Sequence, residues 1–187
     1  MKVSIRPNIL DIGKIVMEMK KQSIQIQPNS IDLTVAHVEK FIGKGTIDFD
    51  NKYREQAKTV EVPLTDIRVA GEEWRYNERA IWDLEQGVYR IISYETVDMP
   101  ENCVGLIIPR SSTFNCGVFT SVGFVDSGFC GKIRSLLYVM NPYGFRLYYR
   151  ARLVQLIMFP AIGKKEVYKG IYQEKTKTMI DLNDNYD

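Results

Sequence analysis

Apolar residues cluster in short runs along the second half of the chain. From Gly87 onward the stretches Val88–Tyr94, Val104–Ile108, Val118–Val122, Ile133–Met140, Phe145–Tyr149 and Leu153–Phe159 are rich in β-branched and aromatic residues. Gly, Pro or Asn separates them. Runs of this kind, recurring at intervals of about 8–15 residues, predict an antiparallel barrel or sandwich rather than strands alternating with helices. Near the start the spacing differs. Ile9, Ile12, Val16 and Met19 recur at helical intervals behind Asn8, with Asp11 in the first turn, and predict one short capped helix. The segment Ile24–Val35, punctuated by Pro28 and Asn29, reads as a turn feeding a strand.

Residues 40–86 are rich in charge and hold Trp74, Trp82 and short candidate strands such as Val60–Leu64. An insertion or long hairpins are expected there, with the two tryptophans as core anchors. The stretch from Lys164 to Asp187 is polar, with Tyr168 and Tyr172 among lysines, and has too few apolar residues to pack alone. It reads as disordered or as a lid, so the expected organisation is a mostly β domain over 1–163 and a tail over 164–187. No repeat or low-complexity tract interrupts it.

Composition narrows the chemistry. A length of 187 residues suits one domain. No apolar run approaches the roughly 20 residues of a membrane-spanning helix, so no membrane partner is expected. Lys and Arg number 25 against 23 Asp and Glu, a net charge of +2. That balance gives no reason to expect a nucleic-acid partner, and any phosphate site must be local. The single histidine, His37, and the three cysteines, Cys103, Cys116 and Cys130, have no zinc-ligand spacing. A Ser-His-Asp triad would have to use His37, which lies at what reads as the end of a strand. Three cysteines without a signal peptide read as reduced, cytoplasmic thiols, most of them buried.

Two windows carry candidate chemistry. In Ile108–Gly117 a strand runs into Arg110, followed by Ser111 and Ser112 and a turn or short helix that ends near Gly117. Free backbone N–H groups, two hydroxyls and a guanidinium together make a phosphate cradle. Equally, Ser111 could cap the helix and Arg110 could be solvated. In Gly123–Ile133 a glycine-punctuated hairpin carries Asp126, a candidate general base, and Phe129, a flat surface for a sugar or base. The plainer alternative is that Asp126 and Ser127 form the polar tip of a hairpin.

Taken in order, Pro109-Arg-Ser-Ser, Gly123–Ile133 and Arg152-Leu-Val-Gln-Leu-Ile resemble three motifs of the dUTPase / dCTP deaminase superfamily. Gln27-Pro-Asn-Ser-Ile-Asp-Leu and Tyr168-Lys-Gly-Ile-Tyr-Gln resemble the first motif and the tail of its deaminase branch. The resemblance implies a dUTPase-like β-barrel or β-clip with a short N-terminal helix and a flexible tail. It also implies a homotrimer with active sites between subunits, and a pyrimidine deoxynucleoside triphosphate held with magnesium (Mg2+) on its phosphates. Carried across by position, Arg110, Ser111 and Ser112 would bind the triphosphate, and Asp126 would activate the water that attacks the α-phosphorus. Phe129 would pack on the deoxyribose, and Gln155 would lie near the phosphates, although a buried glutamine bonded to backbone is as natural a reading. Asp32 and Arg152 would support the arginine network, and Tyr168, Tyr172 and Gln173 would close over the ligand. The pyrimidine edge would be read by backbone near Ser121 and Val122.

The deaminases of this superfamily use a glutamate ten positions after the motif aspartate. Here that position is Leu136, which moves no proton, and Asn115 stands where the deaminase branch has a further arginine. The expected activity is therefore hydrolysis of dUTP, with dCTP or a modified pyrimidine also open, to the monophosphate and pyrophosphate. A dCTP deaminase with a displaced acid and a non-catalytic nucleotide-binding member remain as alternatives.

Overall fold

The computed structural model describes residues 15–66, 80–162 and 166–173. The predicted helix behind Asn8 falls mostly outside them. Of its described part, Ile15 is helical, and the chain then passes into a strand, β1 (Val16–Met17), that pairs with Val97 and Thr96. The buried Val16 is held there by sheet pairing, which overrides the helical spacing. A single helical turn, α1, spans Gln22–Gln25, where the sequence suggests only a turn. Trp74 lies outside the described residues.

The strands that follow are β2 (Ile31–Phe41), β3 (Thr59–Glu61), β4 (Thr65–Asp66), β5 (Ala80–Leu84), β6 (Gly87–Asp98) and β7 (Cys103–Pro109). After a short helix, α2 (Ser111–Asn115), come β8 (Val118–Thr120), β9 (Gly123–Val125), β10 (Cys130–Val139), β11 (Phe145–Tyr148) and β12 (Arg152–Pro160). A nine-stranded sheet runs in the order β8-β10-β6-β2-β12-β7-β9, with β1 added to β6 and β3 to β2. Strands β11, β5 and β4 make a second, three-stranded sheet. The paired strands are antiparallel throughout. The fold is the mostly β one that the apolar runs predict.

Period-two alternation sets the faces. On β6, Tyr89, Ile91, Ser93, Glu95 and Val97 are buried; on β10, Ile133, Ser135, Leu137 and Val139 are. Their apolar members join Leu33, Leu156 and Trp82 in one core, and the Trp82 Nε1–H donates to Val62 O at 2.9 Å. Between β2 and β3 the chain runs out and back as a hairpin, bridged at Thr46 and Glu55. His37 on β2 places Nδ1 2.8 Å from Glu61 Oε1 and lines no part of the site described below. The cysteines are less buried than expected: Cys130 is buried, Cys103 half-buried and Cys116 exposed, and none forms a disulfide.

Candidate functional site

The two chemistry-bearing windows build two separate clusters. In the first, β9 ends at Val125 and the chain turns through Asp126, Ser127 and Gly128 before β10. The turn is stitched to the segment after β6: Met99 N–H donates to Phe129 O (2.7 Å), Gly128 N–H to Met99 O (3.0 Å) and Ser127 Oγ to Cys103 O (2.8 Å). Gly128 has φ +72°, and a Cβ there would lie 2.9 Å from Val167 Cβ, so glycine is required both by the turn and by the tail that crosses it. The carboxylate of Asp126 is exposed and makes no hydrogen bond to the described residues.

The tail segment lies on this turn. Tyr168 N–H donates to Ser127 O (2.8 Å), and Gln173 accepts from Cys130 N–H and donates to Gly128 O. The Tyr168 ring packs edge-on against Phe129, with 5.5 Å between centroids. That contact leaves Phe129 only 9% exposed, so the ring offers a ligand less surface than its sequence setting suggests.

A cavity of about 730 Å³ opens beside the turn, lined by Asp126, Phe129, Tyr168, Tyr172 and the outward face of β10. That face presents Lys132, Arg134 and Leu136 in succession. The far wall comes from the β2–β3 hairpin, including Thr46, Arg54 and Glu55. The lining cations are Arg54, Arg90, Lys132 and Arg134 against the acids Glu55 and Asp126; Arg90 is paired with Glu39 and Lys132 with Glu18. Sequence reasoning missed Lys132 and Arg134. The signal was available, because they precede Leu136 by four and two residues and so share its face.

Backbone around Ser121 and Val122 is partly committed. Ser121 donates its N–H to Leu136 O (2.9 Å), its carbonyl accepts from Ser135 Oγ (3.0 Å), and its hydroxyl accepts from Leu136 N–H (3.0 Å). Ser121 is therefore clamped to β10. Val122 is 58% exposed, and its N–H and carbonyl have no partner among the described residues.

The second cluster lies where β2, β12 and the end of β7 meet. Asp32, 1% exposed, receives Arg110 Nε at 2.9 Å and Arg152 Nη1 at 3.1 Å on the same oxygen. Arg110 Nη1 also donates to Arg152 O (3.1 Å) and approaches Ser112 Oγ (3.4 Å), while its Nη2 has no partner among the described residues. The residue before α2 is Arg110, and no side chain caps the helix. Ser111 is thus not a cap; both serines are exposed. Gln155 stands opposite Asp32, accepts from Ser30 Oγ (2.9 Å) and donates to Pro109 O (3.2 Å). Both ends of its amide are engaged, as in the backbone-bonded reading.

Burial pushes the Asp32 carboxyl above its ordinary value of 3.8, against the downward pull of Arg110 and Arg152. Between 3.8 and the raised value, the folded chain holds a proton that the unfolded chain has released, so this group's contribution to stability falls as pH rises and is constant above that window. Urea midpoints measured across the acid range should therefore show this downward component in the parent and lack it in Asp32→Asn. Parallel profiles for the two proteins would refute it.

None of Arg110, Ser111, Ser112, Asp32, Arg152 or Gln155 lines the Asp126 cavity. Within one copy of the chain the Asp126 cavity and the Arg110–Asp32–Arg152 cluster are separate.

Residues 4–161 match the dCTP deaminase-like family. A protein of Methanosarcina acetivorans named a probable deoxyuridine 5'-triphosphate nucleotidohydrolase is 34% identical over 155 residues, covering 82% of this chain and 84% of the relative. The deoxyuridine 5'-triphosphate nucleotidohydrolase of Methanocaldococcus jannaschii is 31% identical over 149 residues, 80% of this chain and 87% of that one. The 2'-deoxycytidine 5'-triphosphate deaminase of Agrobacterium tumefaciens shares the fold over 81% of this chain, with a TM-score of 0.54 and 20% identity; the chain spans 46% of that protein's length. Motifs, fold and relatives agree, and the chain belongs to the dCTP deaminase-like family.

Proposed function

We propose that the chain is a dUTP nucleotidohydrolase that converts dUTP, and with less selectivity dCTP or a modified pyrimidine analogue, to the monophosphate and pyrophosphate. The carrying observation is the outward face of β10. Leu136 and Asp126 line the same cavity, which supports a reading in which Asp126 activates water and no glutamate moves a proton at the deaminase position.

In this reading Asp126 accepts a proton from water as its oxygen attacks the α-phosphorus. The bond from that phosphorus to the bridging oxygen breaks, and pyrophosphate leaves. Such a reaction needs positioning and charge more than covalent help. Arg110, Ser111 and Ser112 hold the triphosphate, Asp32 and Arg152 hold Arg110, and Gln155 fixes the strand end at Pro109. Phe129 and Tyr168 border the sugar, and Val122 supplies the backbone that meets the base. Tyr172 and Gln173 keep the tail over the pocket. Because one chain separates the two halves, a homotrimer brings the cradle of one copy to the Asp126 turn of another.

Magnesium fits this donor set as an ion carried by the triphosphate. Among the described residues no three His, Cys, Asp or Glu side chains gather as ligands, so the ion would be held by the triphosphate, with Asp126 as an acid lining the same cavity. When bound, it would offset phosphate charge.

The test is to incubate the protein with dUTP and with dCTP plus magnesium and resolve the products. Pyrophosphate release from dUTP is expected, and its absence overturns the proposal. Leu136→Glu is expected to add ammonia release from dCTP. Glu55, the other acid lining the cavity, favours a second reading in which it serves as a displaced deaminase acid. Ammonia release by the parent, abolished in Glu55→Gln, would establish that reading. Neither product would leave a nucleotide-binding role.

A further inference from the structure

Glu95, in the middle of β6, is 0% exposed, and no basic side chain pairs with it among the described residues. Burying a carboxylate without a cation is costly unless donors replace the lost water. Three do so. Gln25 Nε2 and Thr34 Oγ1 donate to Oε1, and Thr34 N–H donates to Oε2, each at 2.7 Å.

The location explains the arrangement. Strand β2 pairs with β6 from Lys40 opposite Tyr89 to Val35 opposite Ser93, and there the pairing ends. Beyond that point β2 follows β12, with Arg152 opposite Thr34 and Leu156 opposite Ile31, while β6 continues against β1. Thr34 is the first residue past the fork, and the Glu95 carboxylate receives the amide that has left the β6 ladder.

From the fork, hydrogen bonds lead to the arginine pair. Gln25 Nε2 also donates to Asp32 O (3.0 Å), and Gln25 Oε1 accepts from Lys21 N–H (3.0 Å), which fixes α1. The carbonyl of Ile24, in the same turn, accepts from Arg152 Nη1 (2.8 Å). Arg152 and Arg110 then meet on the Asp32 carboxylate.

We infer that Glu95 is a positioning residue for the phosphate-binding arginine pair, acting through Gln25 on Asp32 and thereby on Arg110. The inference rests on the hydrolase reading for the identity of the ligand. Glu95→Gln offers an amide N–H where acceptors are needed and should loosen the fork. The KM for dUTP should rise about tenfold while kcat changes less than about threefold, the pattern of lost binding rather than lost chemistry. The Kd for inorganic tripolyphosphate, which needs only the cradle, should rise by the same factor. In an Asp32→Asn background the added effect of Glu95→Gln should vanish, because the route already ends there.

A folded Glu95→Gln protein with parental KM and tripolyphosphate Kd overturns the inference, as does an undiminished effect in the Asp32→Asn background. If Glu95→Gln does not fold, Gln25→Leu cuts the same link and leaves both Thr34 bonds in place. It should give the same rise, and parental values overturn the inference. A parent that releases no pyrophosphate but binds tripolyphosphate defeats the hydrolase reading alone; a parent that does not bind tripolyphosphate defeats the inference as well.

Discussion

Asp126→Asn is expected to lower kcat for pyrophosphate release from dUTP by about 10²–10⁴-fold, the usual contribution of a positioned general base. Binding of dUTP should change only a few-fold. The substitution is nearly isosteric and the side chain is exposed without a hydrogen-bond partner among the described residues, so the turn has little reason to move. Its geometry depends on Met99, Ser127, Gly128 and Phe129. Thermal stability should therefore match the parent, which separates a chemical defect from a folding one. A folded variant that retained parental kcat would show that the base lies elsewhere, and Glu55 would then be the acid to test.

Much of the site was legible in the sequence because its motifs are local. The Arg110–Ser112 and Asp126–Phe129 windows sit at the ends of apolar runs, and such runs locate strands well. The structure places each window at a strand end. Contacts between distant segments were not legible. Nothing in Gln25, Thr34 and Glu95 taken singly predicts a shared carboxylate, since their meeting depends on where β2 leaves β6. Ser121 illustrates the same limit, because its clamp to Ser135 and Leu136 joins strands that are distant in the sequence. Val16 and Met19 fit a helical spacing, but a short amphipathic pattern is a weak prior where a strand is free to pair. The sequence offers Phe129 as an open flat surface, but its cover by Tyr168 depends on the tail folding back across Gly128.

The separation of acid and cradle leads to the other large effect. Arg110→Ala removes the guanidinium that Asp32 orients and should reduce kcat/KM for dUTP by about 10²–10³-fold, as expected for loss of an electrostatic stabiliser. Alone it should be about as impaired as Asp126→Asn. The two defects lie in different halves, however, and in an oligomer each active site would take Asp126 from one copy and Arg110 from another. A site formed between an Arg110→Ala copy, which keeps Asp126, and an Asp126→Asn copy, which keeps Arg110, is intact in one of its two orientations. Random mixing at equal amounts should thus leave about one site in four functional. Co-expression of the two variants from differently tagged genes, with purification through both tags, removes the inactive homotrimers and should restore activity to roughly a third of the parent's, because a mixed trimer of either composition has about one intact site in three. A site confined to one chain would restore nothing, since every chain in the mixture carries a defect. The absence of recovery in verified mixed oligomers would therefore refute the shared site while leaving the identity of the base untouched.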